Sequence, residues 1–295
     1  MNSGSGLRGL WRIFCPLIFW WLINFVTQLV VLTFVLVTMW APDNMPRIIN
    51  EAHSFEMIQR QIVEQFLESE YLIMITPYYL FLGAIFASIY TVLAYRKDRR
   101  AEAAIGNTPR KTSEIWQYVL MVGLAISVSL GLNLVLILAM VAFPNLSYNQ
   151  LAAEVIATMP IWLKVIGLGL IIPIAEEFLF RGLIFKRYFE RSGSFVKSMF
   201  FSAIVFGFVH SYLTQFVYAF AMGLLLAYVY NKFGTIKAPI IFHIAINLFS
   251  IILSDTGGWE WFFREPLRIA VTVVVSAFVG SSLFVLIRER STDKL

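Results

Sequence analysis

Long apolar runs alternate with short polar clusters along this 295-residue chain. A run of roughly 20 apolar residues crosses the hydrocarbon core of a bilayer. On that measure eight spans are expected, at about 13–40, 71–95, 115–143, 161–185, 198–213, 215–231, 239–254 and 267–287. The fifth, sixth and seventh are short and closely spaced. Between the first two spans, residues 48–70 are polar but periodic. Ala52, Phe55, Ile58, Ile62 and Phe66 share one helical face, and Glu51, Glu56, Glu64 and Glu68 lie largely elsewhere. That pattern predicts an amphipathic helix over 48–70, lying on the outer surface. Ala219, Gly223 and Ala227 form a small-residue stripe suited to close helix contact. There is no internal repeat, and the charged segment 96–114 with Pro109 reads as a linker within one domain. The expected fold is all-α and polytopic, a single integral membrane domain over 1–295.

Composition agrees. Apolar residues make up 59% of the chain and charged residues 14%, whereas a soluble domain is about 45–50% apolar and about 25% charged. The net charge of +5 does not imply nucleic-acid binding, because the basic residues sort by loop. Arg8 and Arg12, the cluster from Arg96 to Lys111, Lys186, Arg187, Arg191 and Lys197, Lys232 and Lys237, and Arg288, Arg290 and Lys294 fall on one side of the predicted topology. Only Arg47, Arg60, Lys164, Arg264 and Arg268 fall on the other. The positive-inside rule then puts both termini in the cytoplasm. The first apolar run is too long for a signal-peptide core and is expected to be retained as a span. The lone Cys15 excludes an internal disulfide and a cysteine metal cluster, and its position suits packing. Asn145-Leu146-Ser147 fits a glycosylation sequon, but no eukaryotic targeting signal accompanies it, and a bacterial plasma membrane is the expected location.

The fourth span carries charge where charge is expensive. Glu176 and Glu177 are adjacent, and Arg181 follows. A carboxylate at the bilayer centre costs about 2.5–3.5 kcal/mol on insertion scales, so such a group is normally paired, functional or both. Glu177 and Arg181 are four apart, on one helical face and in the favourable order for an ion pair. Guanidinium stays charged when buried and holds a carboxylate through two hydrogen bonds. Glu176 points about 100° away around the helix and is left without a cation of its own, as a general base would be. Two more polar pairs follow at one-turn spacing: Phe206 with His210, and His243 with Asn247. Histidine positions or deprotonates water, and both His and Asn donate to a developing oxyanion. His53 lies in the outer segment and reads as a bystander.

In order, Glu176-Glu177-Phe178-Leu179-Phe180-Arg181, Phe206-Gly207-Phe208-Val209-His210 and His243-Ile244-Ala245-Ile246-Asn247 resemble the motifs of the CPBP family. These are the CAAX-protease and bacteriocin-processing (Abi) enzymes, glutamic intramembrane endopeptidases. The resemblance covers about 160–254, which it makes the catalytic core. It implies that Glu176, with His210, activates a water. His243 and Asn247 would stabilise the tetrahedral oxyanion, and Glu177, Arg181 and Phe206 would support the site. It implies a hydrolase with no cofactor and no metal, acting on a membrane-associated or lipidated peptide. Eukaryotic members remove the last three residues of prenylated CAAX proteins, and bacterial members include bacteriocin-processing and immunity proteins. Three other readings remain open on the residues alone. One is a metal-dependent protease ligated by Glu176, His210 and His243, although the His-Glu-x-x-His signature is absent. Another is a non-enzymatic immunity or peptide-binding protein. The last is a proton-coupled transporter, against which the lack of repeats argues.

Overall fold

A computed structural model describes residues 6–104, 114–143, 150–210 and 212–289, with no side-chain detail for 150–152. The linker residues 105–113 and the sequon at 145–147 lie outside the described residues. Helices account for nearly all of the described chain. They are α1 (Gly6–Glu51), α2 (Phe55–Leu67), α3 (Glu70–Ala104), α4 (Ile115–Ala142), α5 (Gln150–Thr158), α6 (161–192), α7 (Phe195–Phe208), α8 (Leu213–Phe233), α9 (Lys237–Asp255), α10 (Gly258–Phe263) and α11 (Pro266–Glu289). Six of these, α1, α3, α4, α8, α9 and α11, are long and apolar enough to cross a membrane. The protein is therefore an all-α polytopic membrane protein.

Each of the eight expected spans has a helical counterpart, but two differ from simple crossings. At about 1.5 Å per residue, the 14 residues of α7 rise about 21 Å, short of the roughly 30 Å core. The other, α6, carries the charged motif and is not a regular α-helix. It widens to π-helix over Lys164–Ile171 and again over Phe178–Phe185, on either side of the α-helical Ile172–Glu177. A π-turn shifts the bonding to i+5 and loosens the regular ladder. Neighbouring side chains use two carbonyls within these stretches: Asn247 donates to Leu168 O at 2.8 Å, and Ser202 to Phe180 O at 3.2 Å.

The amino-terminal region departs from the sequence reading. The first helix does not stop near residue 40. A π-helical stretch at Leu36–Trp40 carries it into Ala41–Glu51. Pro42 and Pro46 lie within this extension, and each removes a backbone N–H from the helix ladder. The segment 48–70 is accordingly divided. Ile48 ends up on the α1 extension, and α2 begins only at Phe55, capped by the Ser54 hydroxyl, which accepts from the Met57 N–H. Ile58, Ile62 and Phe66 do share a face, and they pack against Val35, Trp40 and Ile48 of α1. Phe55 stays exposed.

The main core lies between α6, α7, α8 and α9, with α4 and α1 behind. Leu179, Phe180 and Ile184 of α6 meet Phe206 of α7, Met222 and Leu226 of α8, and Phe242 and Ile246 of α9. Gly193 sits at φ 63° and ends α6 in the left-handed conformation that glycine adopts without strain. Ser194 then caps α7, so the two helices turn back on each other sharply. The stripe Ala219, Gly223, Ala227 is buried. A Cβ built on Gly223 would stand 3.0 Å from the Ala203 Cα and 3.3 Å from a Phe206 ring carbon, so α7 and α8 approach as closely as glycine allows. Gly223→Leu is expected to cost about 1–3 kcal/mol through overpacking, and Gly223→Ala less. Thermal unfolding of the detergent-solubilised variants measures both.

Candidate active site

The charged motif forms one hydrogen-bonded group inside the core. Arg181 Nη1 donates to Glu177 Oε1 at 2.8 Å, and both side chains are fully buried. This is the ion pair that the i,i+4 spacing calls for. Arg181 Nη2 donates to the Gly223 carbonyl at 3.3 Å, and its guanidinium carbon lies 4.6 Å from the centre of the Phe206 ring, within cation–π range. Three helices thus converge on one arginine. Glu177 Oε2 and Arg181 Nε are buried and have no hydrogen-bond partner among the described residues.

His243 of α9 completes the group. Its Nδ1 lies 2.8 Å from Glu177 Oε1, and a carboxylate accepts, so Nδ1–H donates. Its Nε2 lies 3.7 Å from Glu176 Oε2, too long for a direct hydrogen bond. Glu177 Oε1 therefore takes two donors, while Glu176, 8% exposed, only approaches a histidine edge. The two neighbouring glutamates have different surroundings because successive helical positions point about 100° apart.

His210 and Asn247 stand at the margin of this group. His210 follows the last turn of α7, half-buried, and its Nδ1 lies 2.8 Å from the Phe206 carbonyl. A carbonyl only accepts, so Nδ1 carries the proton and Nε2 of the neutral ring is the free base. The Phe206 ring is edge-on to both histidines, at 4.9 Å from His210 and 5.9 Å from His243. It links them by packing. Asn247 is half-buried, one turn beyond His243, and spends one amide hydrogen on Leu168 O. The structure thus brings together Glu176, Glu177, Arg181, His243 and Phe206. His210 joins them through Phe206, and Asn247 is held from α6. His53 lies far along the chain, in the turn between α1 and α2.

Two contributors escaped sequence reading. Gly223 is visible as a small residue, but its use as an acceptor for Arg181 depends on the α6–α8 approach. Leu168 offers only its backbone, and nothing in an apolar side chain announces that. Among the described residues no group of three or more His, Cys, Asp or Glu is arranged to hold a metal ion.

A buried glutamate–arginine–histidine group on the packed helices of a polytopic membrane protein defines the class of site. Comparison with known families narrows it. Residues 158–249 match the family described as Type II CAAX prenyl endopeptidase Rce1-like, and that stretch contains every motif residue. Over this core the chain is similar to the CAAX endopeptidase (CPBP) family. Relatives include YdiL of Bacillus subtilis, a candidate membrane peptidase by its name, at 33% identity over 36% of this chain and 42% of its own length. The UPF0177 proteins YajF and YxdF of Lactococcus lactis are 29% and 28% identical over 40% and 35% of this chain. The matches span 58% and 59% of those two proteins, so about half of each relative's length is covered. No solved structure matches the chain.

Replacing Arg181 with Met leaves Glu177 buried beside nothing but His243. Breaking one side of a buried pair costs about 3–5 kcal/mol. The double variant Glu177→Gln/Arg181→Met, which removes both charges, is expected to recover part of that loss. Denaturant or thermal unfolding of the three proteins gives the comparison.

Proposed function

We propose that the protein is an intramembrane endopeptidase. It hydrolyses a peptide bond in a membrane-associated or prenylated, CAAX-like substrate, with water activated by Glu176. The observation that carries this reading is the unequal treatment of the two glutamates: Glu177 accepts from Arg181 and His243, and Glu176 is left in the same buried site with no such donor. The family match over residues 158–249 supports the peptidase class. We further propose eight spans with both termini cytoplasmic, and substrate entry from the cytoplasmic half of a bacterial plasma membrane.

Glu176 takes a proton from water as the oxygen attacks the scissile carbonyl, and His210 Nε2 orients that water. The C–O bond forms, and the carbonyl oxygen becomes an oxyanion. The free amide hydrogen of Asn247 donates to it. When His243 is protonated, the set Glu176, Glu177, Arg181 and His243 is electrically neutral, and the Nε2–H is a second donor. The proton on Glu176 then passes to the leaving nitrogen as the C–N bond breaks. Donors fixed in a dry core are worth more than in water and need no reorganisation during reaction. Arg181, Glu177 and Phe206 hold this arrangement without touching the substrate.

Purified, detergent-solubilised protein is expected to cleave members of a panel of farnesylated and membrane-anchored peptides, with or without chelator. Glu176→Gln is expected to reduce the rate by about 10²–10⁴-fold, the range of a lost general base. Asn247→Ala is expected to lower kcat by about 10²–10³-fold, as for other oxyanion donors. Equal cleavage by wild type and Glu176→Gln would overturn the assignment.

A further inference from the structure

Lys164 and Asp255 lie outside all three motifs, yet they join the same two helices that carry the site. Lys164 Nζ donates to Asp255 Oδ1 at 2.8 Å, and the side chains are only 10% and 28% exposed. Asp255 is the last residue of α9, and Lys164 opens the first π-helical stretch of α6.

Along α9, every fourth residue from His243 meets α6. His243 bonds to Glu177 and approaches Glu176. Asn247 donates to Leu168 O. Ile251 reaches Gly169, where a built Cβ would stand 3.5 Å from its Cδ1. Asp255 takes Lys164. Such an i±4n row is one of the ridges by which helices pack. The row runs antiparallel to α6, so it fixes register: sliding α9 by one turn breaks every polar rung. The rung at Leu168 is set in a π-helical stretch, where the helix's own bonding resists displacement least. It is flanked by the charged rung at one end and by the glutamates at the other. Apolar contacts such as Ile251 on Gly169 tolerate sliding, whereas a directional pair between the buried Lys164 and Asp255 at the end of α9 is lost by it.

We propose that Lys164 and Asp255 are a positioning pair for the active site. They hold the π-helical start of α6 against α9 and so fix where Leu168 O presents the Asn247 amide and where α9 presents His243 to Glu176. Neither residue touches the substrate. The catalytic part of this inference rests on the protease reading given above, and its structural part does not.

The test uses Lys164→Glu, Asp255→Lys and the charge-swapped double variant, in full-length protein. Two readouts are taken. One is peptide cleavage per folded molecule, resolved into kcat and KM. The other is maleimide labelling of Ile251→Cys in a Cys15→Ser background, which reports separation of α9 from α6 without any activity. Each single reversal is expected to lower kcat by about 10²-fold, as a displacement of about 1 Å does, with KM little changed and Ile251→Cys labelled severalfold faster. The swapped pair is expected to restore both. A pair that only stabilises the fold would lower the folded fraction and leave kcat per folded molecule unchanged, which overturns the proposal. So would a swapped variant no better than either single one, or single variants labelled at the wild-type rate. If no variant and no wild-type sample cleaves any peptide, the protease reading fails. The labelling readout then decides the helix-positioning claim alone.

Discussion

The Glu177–Arg181 ion pair is the constraint on which the rest of the structure depends. Both groups are fully buried, and two charges removed from water are tolerated only with good geometry and with their remaining hydrogen-bonding positions occupied. The helices around them supply part of this, and Glu177 Oε2 and Arg181 Nε have no partner among the described residues. The Gly223 carbonyl of α8 takes a second guanidinium N–H, the Phe206 face of α7 lies against the guanidinium, and His243 of α9 donates to the carboxylate. Each helix is brought in by a different contact, so the pair links the three of them at one point. Close approach at Gly223 is part of the same requirement, because a larger residue there would push α7 and α8 apart.

This arrangement gives two adjacent glutamates different surroundings. Glu177 is bonded to Arg181 and His243, and its neighbour Glu176, about a third of a helical turn away, is buried with no comparable donor among the described residues. The π-helical stretches extend the logic to the backbone. They flank the glutamates and place carbonyls where Asn247 and Ser202 use them. Irregular backbone at membrane depth is stable only when buried in protein and satisfied by neighbouring groups, and here the satisfying groups include a candidate catalytic amide.

Much of the fold was legible in the sequence, because spanning length and charge clustering are one-dimensional signals. The limits of α8, α9 and α11 lie within a few residues of the expected spans. The local ion pair was legible too, since i,i+4 spacing is a property of one helix. What escaped is what depends on two helices meeting. His243 as the second donor to Glu177, Gly223 as an acceptor and Leu168 as the anchor of Asn247 all arise from interhelical approach. The π-helical stretches escaped because Lys164–Ile171 has the composition of any apolar helix. The α1 extension escaped for a different reason. Pro42 and Pro46 are ordinary helix terminators, yet the helix runs through both of them to Glu51.

By its contacts Glu177 ties α6 to α9 and to Arg181, and Glu176 does not. The most direct measurement is the thermal unfolding midpoint of Glu176→Gln and Glu177→Gln, purified side by side in one detergent. Glu177→Gln is expected to lower the midpoint strongly, by the roughly 3–5 kcal/mol of an uncompensated buried charge, and Glu176→Gln to leave it near wild type. Equal destabilisation by the two substitutions, or a larger effect from Glu176→Gln, would contradict it.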